Sequence, residues 1–358
     1  MDNSSSKQRI VVFLPNWVGD VVMATPALRA LREHFVGDRI VYVARPAAAA
    51  TIEGGPWADE IIIDPSAGGR SPIVAFLHLV FALRRGHFDL AVLLPNSFRT
   101  ALLARLGGVH RRAGYARDGR GWLLTTRLAP PRDKLGYVPT PAIDYYNALA
   151  AAVGAKTDSR RMELPVSDAD AAKADRLLAD AKIDAARPIV MLNPGASFGV
   201  SKLWPSRRFA ALAEALIERH NAAVIINAAP SERTIASEVE AAMRRGAAMN
   251  LGKCDNSLGL VKALMRRCRL LVTNDTGARH IAAASGIAVV TIFGSTDPDW
   301  TIIHYGRERT IVSRVDCSPC QKKICDQPAG PLYHQCMQSI QVETVLAAAE
   351  ELLAEDGR

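Results

Sequence analysis

The chain has no apolar run approaching the roughly 18–20 residues of a membrane span. The nearest, Phe76–Leu83, reads as amphipathic helix material. Aromatics make up only 6% of the residues, and no RNA-binding signature accompanies the basic stretches, so no nucleic-acid partner is expected. No short period recurs, which excludes a solenoid. A Walker A loop is missing too. In the stretch that comes nearest, LNPGASFGVSKLWP (192–205), Gly195 and Gly199 are wrongly spaced, and Leu203 stands where Ser or Thr must hold magnesium. The first residues, MDNSSSKQR, are polar and lead straight into a strand pattern, so no signal peptide is expected and the cytoplasm is the expected compartment.

What is present fills 358 residues, enough for two domains with full cores. The first half alternates strand-like runs (Ile10–Leu14, Ile40–Ala44, Glu60–Ile63, Leu90–Leu94) with helical patterns (Ala27–Phe35, Ile73–Arg85, Ala101–Leu106). The second half repeats the plan, with strands at Ile189–Leu192, Ala223–Asn227, Leu270–Thr273 and Ala288–Phe293 and helices between them. Such alternation implies βαβ units, parallel sheets and two doubly wound α/β domains. Their expected extents are 1–160 and 161–340, with a last amphipathic helix in 341–358. The net charge of +8 is uneven: between Arg99 and Lys134, nine basic residues face two acidic ones. That excess is either a solvated face or the mark of a polyanionic partner.

Ligands of doubly wound folds sit beyond the carboxyl ends of the strands, and three polar loops fall there. After the first strand comes PNWVGD. Asp20, at the start of a helix, is either a helix-capping group or a general base for a hydroxyl. Thr25-Pro26 then suggests a restart or kink in that helix. The second loop is 192–205. Its small residues expose backbone N–H groups to phosphate oxygens and Lys202 adds a charge; the bland alternative is a plain βα turn with a solvated lysine. The third is TNDTGARH (273–280). Thr276 reads as an N-cap, and Ala278, Ile281, Ala282 and Ser285 form the buried stripe of the next helix. His280 is expected on the side away from that stripe. Together these loops suggest a polar cleft in which one lobe supplies a base and the other a phosphate cradle.

The segments PNWVGDVVMATPALRAL, NPGASFGVSKLWP, TNDTGARHIAAASGIAVVTIFGSTDP and CSPCQKKIC with the later HQCM resemble, in order and over nearly the whole chain, glycosyltransferase family 9, the bacterial lipopolysaccharide heptosyltransferases. The resemblance implies a GT-B architecture, two Rossmann-like domains facing across a cleft, with the C-terminal helix crossing back to the first. It implies inverting transfer of L-glycero-D-manno-heptose from ADP-heptose to a heptosyl hydroxyl of the lipopolysaccharide inner core, with no cofactor. Alternatives are a family member adding another core heptose and, from another class, a GT-B-shaped nucleotide-sugar epimerase. Carried over by residue, Asp20 is the base. Lys202, Asp275, Thr276, Gly277 and His280 bind the donor, Ser197 lies against its phosphates, and Glu232 matches a ribose-binding glutamate. The basic stretch, with Arg99, Arg117 and Arg120, would meet the lipid A and core acceptor, which implies peripheral contact with the inner membrane. Ala278-Arg279 departs from the apolar pair often found before the histidine, and Arg279 is expected to add positive charge near the phosphates.

Four of the six cysteines, Cys317, Cys320, Cys325 and Cys336, give C-x2-C-x4-C-x10-C beside His334. They are read either as a reduced, partly buried cluster or as a structural zinc site.

Overall fold

Strands rich in Val, Ile and Leu alternate with helices along the whole chain, and a computed structural model describes residues 7–67, 71–134, 136–184 and 186–355. The first six residues, on which the reading of the chain's start rests, lie outside this set. The chain forms two units, Met1–Pro165 with Asp299–Ile303, and Val166–Pro298 with His304–Arg358.

In the first unit the elements run β1 Arg9–Phe13, α1 Val18–His34, β2 Arg39–Ala44, α2 Pro46–Ile52, β3 Glu60–Ile63, α3 Pro72–Gly86, β4 Leu90–Leu93, α4 Phe98–Leu106, β5 Arg111–Tyr115 and β6 Thr126–Leu128. A small hairpin, β7 Arg132–Asp133 and β8 Gly136–Tyr137, precedes α5 Ala142–Ala151. The sheet order is β3-β2-β1-β4-β5-β6, with every pairing parallel. Val11, Phe13, Val41, Ala91 and Leu93 bury one face of the sheet against Leu79, Leu83, Leu103 and Ala104 of α3 and α4.

The second unit repeats this order with α6 Asp168–Asp180, β9 Ile189–Asn193, α7 Ser206–His220, β10 Ala223–Ile226, α8 Arg233–Ala242, β11 Met249–Asn250, α9 Leu258–Met265, β12 Leu270–Asn274, α10 Gly277–Ala284, β13 Ala288–Phe293, β14 Glu308–Val312, α11 Gln335–Gln338 and α12 Val342–Glu355. Its sheet runs β11-β10-β9-β12-β13-β14, again parallel throughout. In both sheets the order reverses between the first and fourth strands, β1/β4 and β9/β12. That is where a doubly wound sheet opens a crevice for a ligand. Val345, Leu346, Ala349 and Leu352 of α12 join the second core. It is Asp299–Ile303, not α12, that groups with the first unit.

The expected restart at Pro26 is corrected: α1 runs unbroken from Val18 to His34 with Pro26 inside it. A helical proline leaves the carbonyl four residues back without its N–H. Here that carbonyl is Val22 O, and the Thr25 hydroxyl donates to it at 2.7 Å. Thr25 Oγ1 in turn accepts from Glu163 N at 3.1 Å. The expected basic face is corrected at two of its nine residues, Arg112 and Arg120. Arg112 is buried, donating to the Leu123 and His110 carbonyls at 2.6 and 2.8 Å. Arg120 is fully enclosed: its guanidinium holds Tyr115 O at 3.0 Å, Asn96 Oδ1 at 3.1 Å and the Pro95 carbonyl. It braces the β4 loop instead of offering charge to an acceptor. Arg99 is paired with Asp64 at 2.7 Å, and Arg117 lies over the Tyr137 ring, 3.9 Å from its centroid.

Candidate active site

Each of the three loops emerges at a carboxyl strand end. In the first unit β1 ends at Phe13 and α1 begins at Val18, so Asp20 occupies the first turn of the helix, at the β1/β4 switch point. The N-cap is Trp17, whose side chain makes no capping bond. Asp20 is therefore not the N-cap, although its charge suits the positive helix end. It is half-buried and close to Tyr146 on α5. Burial above all, with the Asp20 charge second, pushes the Tyr146 hydroxyl well above the usual phenol range. Asn96, on the loop after β4, accepts from the Tyr145 hydroxyl at 3.1 Å.

In the second unit β9 and β12 are neighbours, which brings the loops after Asn193 and Asn274 side by side. A buried polar network joins them. Asn193 Nδ2 donates to Thr273 Oγ1 and Thr276 Oγ1, both at 3.1 Å, and Asn227 Nδ2 donates to Asn193 Oδ1 at 2.7 Å. Asn274 Nδ2 holds the Pro194 carbonyl at 2.7 Å, and its Oδ1 accepts from Trp204 N at 3.2 Å. Trp204 itself is fully buried and donates through Nε1 to Ile340 O at 3.0 Å. The loop is thus pinned at both ends. The asparagines, which sequence reading passed over, close the strands on either side of the switch point, and that position was the signal for them.

Lys202 closes a short helical turn, Val200–Lys202, and reaches across to the β12 loop. Its Nζ bonds Asp275 Oδ2 at 2.5 Å and the Asp275 carbonyl at 3.0 Å, above the Phe198 ring. Thr296 Oγ1 donates to the same carboxylate oxygen at 2.8 Å. Burial raises the Asp275 pKa, but the charge and hydrogen bond of Lys202 outweigh it and hold the carboxyl below its ordinary range. Thr276 is the N-cap of α10, its Oγ1 accepting from Ala278 N at 3.3 Å, and Gly277 opens the helix. Ser197 stands exposed on the loop.

Glu232 arrives from the turn after β10 and lies against the same loop. A Cβ on Gly195 would fall 2.2 Å from the Glu232 carboxyl carbon, so only glycine allows that approach. The Glu232 carboxylate accepts from Ala229 N at 3.1 Å, fixing its own turn. Sequence reading linked Glu232 to the donor only loosely; the structure brings it within contact of the NPG turn.

One expectation about α10 is corrected: Arg279 does not offer its charge to a ligand, for it is buried, and His280 is buried too. α10 is enclosed on more than one side, so the single apolar stripe seen in the sequence understates its burial. Arg279 makes two bonds to Glu308 of β14, Nε to Oε1 at 2.6 Å and Nη2 to Oε2 at 2.9 Å. Its positive charge is met there. His280 is held neutral: burial first, then Arg279, lowers its pKa to about 3. An unfolded histidine titrates near 6.5. Between those two values the unfolded chain takes up a proton that the folded chain refuses. This contribution to stability is therefore complete above pH 6.5 and lost as the pH falls towards about 3. Denaturant titrations of wild type and His280→Asn from pH 7 to 4 should show the difference. The wild type is expected to lose on the order of 3 kcal/mol more than the variant, which lacks this titration.

The cysteine segment backs the Lys202 loop. Ser201 N donates to Lys323 O at 3.1 Å, and Ser201 Oγ lies 3.1 Å from Ser295 Oγ. Gly199 is required by the same contact, because a Cβ there would fall 2.3 Å from the Lys323 carbonyl oxygen. Cys317, Cys320, Cys325 and Cys336 are free thiols lining one pocket with His334. Among the described residues no three His, Cys, Asp or Glu side chains are gathered in a geometry that could hold a metal ion.

Two doubly wound α/β units, each with polar loops at its switch point, have the GT-B architecture, and the protein is a glycosyltransferase. The profile of glycosyltransferase family 9 (heptosyltransferase) matches residues 76–329, and the chain belongs to that family. It is 27% identical to lipopolysaccharide heptosyltransferase 2 of Salmonella typhimurium over 98% of this chain and 99% of that one. It is 28% identical to lipooligosaccharide heptosyltransferase 2 of Haemophilus influenzae, covering 96% and 99% of the two chains. The solved structure of the Escherichia coli ADP-heptose lipopolysaccharide heptosyltransferase II superposes with a TM-score of 0.77 at 26% identity, over 98% of this chain and all of the other.

Proposed function

We propose that this protein transfers L-glycero-D-manno-heptose from ADP-heptose to a hydroxyl of a heptose already on the lipopolysaccharide inner core, with inversion at the anomeric carbon. The observation that carries the reading is the Lys202–Asp275 pair at the β9/β12 switch point, in a chain similar over nearly its full length to heptosyltransferases 2. Lysine Nζ has three donors, and Asp275 takes two of them. The third is available to a diphosphate oxygen. With the positive N-terminal end of α10, it meets the charge that grows on the leaving ADP. No cofactor is required for that step.

Asp20 supplies the base. As the acceptor oxygen bonds to the anomeric carbon, its proton passes to the Asp20 carboxylate, and the bond from that carbon to the diphosphate oxygen breaks with its electron pair leaving on ADP. Glu232, fixed beside Gly195, is placed for the ribose hydroxyls of the donor, and Ser197 for its phosphates. Arg99 and Arg117 remain for an anionic acceptor, whereas Arg120 does not. The test is incubation with ADP-heptose, with and without a heptose-bearing core. ADP release and a heavier core, both requiring the acceptor, are expected. Interconversion of the free nucleotide sugar without acceptor would instead favour the epimerase reading.

A further inference from the structure

Asn96 carries a hydrogen-bond donor that nothing in its own unit receives. It follows β4, which ends at Leu93 beside Phe13 of β1, and so stands at the same switch point as Asp20. Two consecutive tyrosines of α5 join these groups. Tyr146 lies close to Asp20, and the Tyr145 hydroxyl donates to Asn96.

The Asn96 amide is held in one orientation. Its Oδ1 accepts from Arg120 Nη2 and from the Tyr145 hydroxyl, each at 3.1 Å. A guanidinium only donates, so the atom facing Arg120 must be the oxygen; the reversed amide would set N–H against N–H. Both partners are themselves fixed. Arg120 is fully enclosed and bonded to the Tyr115 and Ser97 carbonyls at 3.0 and 3.3 Å. The Tyr145 ring stacks on Tyr115 with centroids 3.6 Å apart, and the Tyr115 hydroxyl donates to Tyr145 O at 3.0 Å. Burial raises the Tyr145 pKa, so its hydroxyl keeps the proton that it shares with Asn96. With Oδ1 taken twice, Nδ2 is left, and it carries two hydrogens. Among the described residues no group accepts either of them. Asn96 is partly exposed, so a ligand can reach that edge. An edge that only donates fits an oxygen with free lone pairs, such as a sugar hydroxyl. Because the amide is already oriented, little side-chain entropy is lost when that oxygen arrives.

We propose that Asn96 Nδ2 holds an oxygen of the acceptor sugar and so fixes the acceptor beside Asp20. The inference rests on the proposed function, which makes the acceptor a core sugar, and adds a residue that grips it. The experiment is calorimetric titration of the full chain with a delipidated core oligosaccharide carrying one heptose, with no donor present. ADP is titrated separately. Asn96→Asp keeps an oxygen for Arg120 and Tyr145 but has no N–H to give. Asn96→Ala removes both edges of the amide and adds no charge. Both substitutions are expected to raise the Kd for the core about tenfold, the range for one hydrogen bond, and to leave the Kd for ADP unchanged. Weakening by alanine alone would mean that Asn96 only supports Arg120. Weakening by aspartate alone would mean that the added charge repels an anionic core. Either result would overturn the inference. So would unchanged core affinity in both variants, ADP affinity that falls in step, or no core binding by the wild type. Because binding is scored without donor, a wild type that grips the core through Asn96 and transfers nothing would count against the transferase reading alone.

Discussion

Replacing Asp20 by asparagine is expected to slow heptose transfer by about 10²–10⁴-fold, the usual contribution of a positioned general base. The substitution preserves shape and removes the group that takes the proton. Asp20 lies in the first turn of α1 with a non-capping Trp17 before it, and part of its structural share is a charge near the helix end. Such a charge is worth about 0.3–1 kcal/mol, which sets that part of the expected loss of folding stability. The signature is therefore a large fall in turnover with almost unchanged unfolding and unchanged ADP affinity. A variant that loses stability and ADP binding in proportion to turnover would mark Asp20 as a structural group instead.

Lys202→Met should do both kinds of damage, and a second substitution separates them. The Lys202 and Asp275 side chains are only 11% and 8% exposed, so screening by solvent is slight. Removing the cation leaves the Asp275 carboxylate buried with Thr296 as a neutral donor. Breaking such a pair typically costs about 3–5 kcal/mol. Transfer efficiency, kcat/KM, is expected to fall about 10²–10³-fold, the loss seen when one donor to a developing charge is removed. The double variant Lys202→Met/Asp275→Asn replaces the stranded carboxylate with a neutral amide and should recover much of the stability. It should recover none of the transfer. Recovery of both would mean that Lys202 serves only to neutralise Asp275.

The parts of this protein that could be read in advance are those written in contiguous residues. The strand, turn and helix around Asn193-Pro194-Gly195 show in apolar runs and small residues, and so does the capping threonine of TNDTG. What could not be read depends on which polar groups the fold sets against each side chain. Pro26 looks like a restart until Thr25 is seen to satisfy the carbonyl that Pro26 abandons. Arg279 looks like a ligand for anions until Glu308, 29 residues later, claims the Nε–Nη2 edge of its guanidinium. Arg120 counts as surface charge until the backbone carbonyls around it are visible. β5, β6 and β14 carry polar or basic residues on strands towards one side of their sheets, where an apolar run is not required. Formal charge along a chain is a poor guide to charge on its surface when arginines serve as internal braces.

The identity of the acceptor is addressed directly by one assay. Purified protein is supplied with ADP-heptose and two acceptors, a core that already carries one heptose and a core that carries none, and the products are weighed by mass spectrometry. A single added heptose on the first core, with the second unchanged, is the predicted result. Addition to the second core alone would contradict it and make this chain a first-heptose transferase.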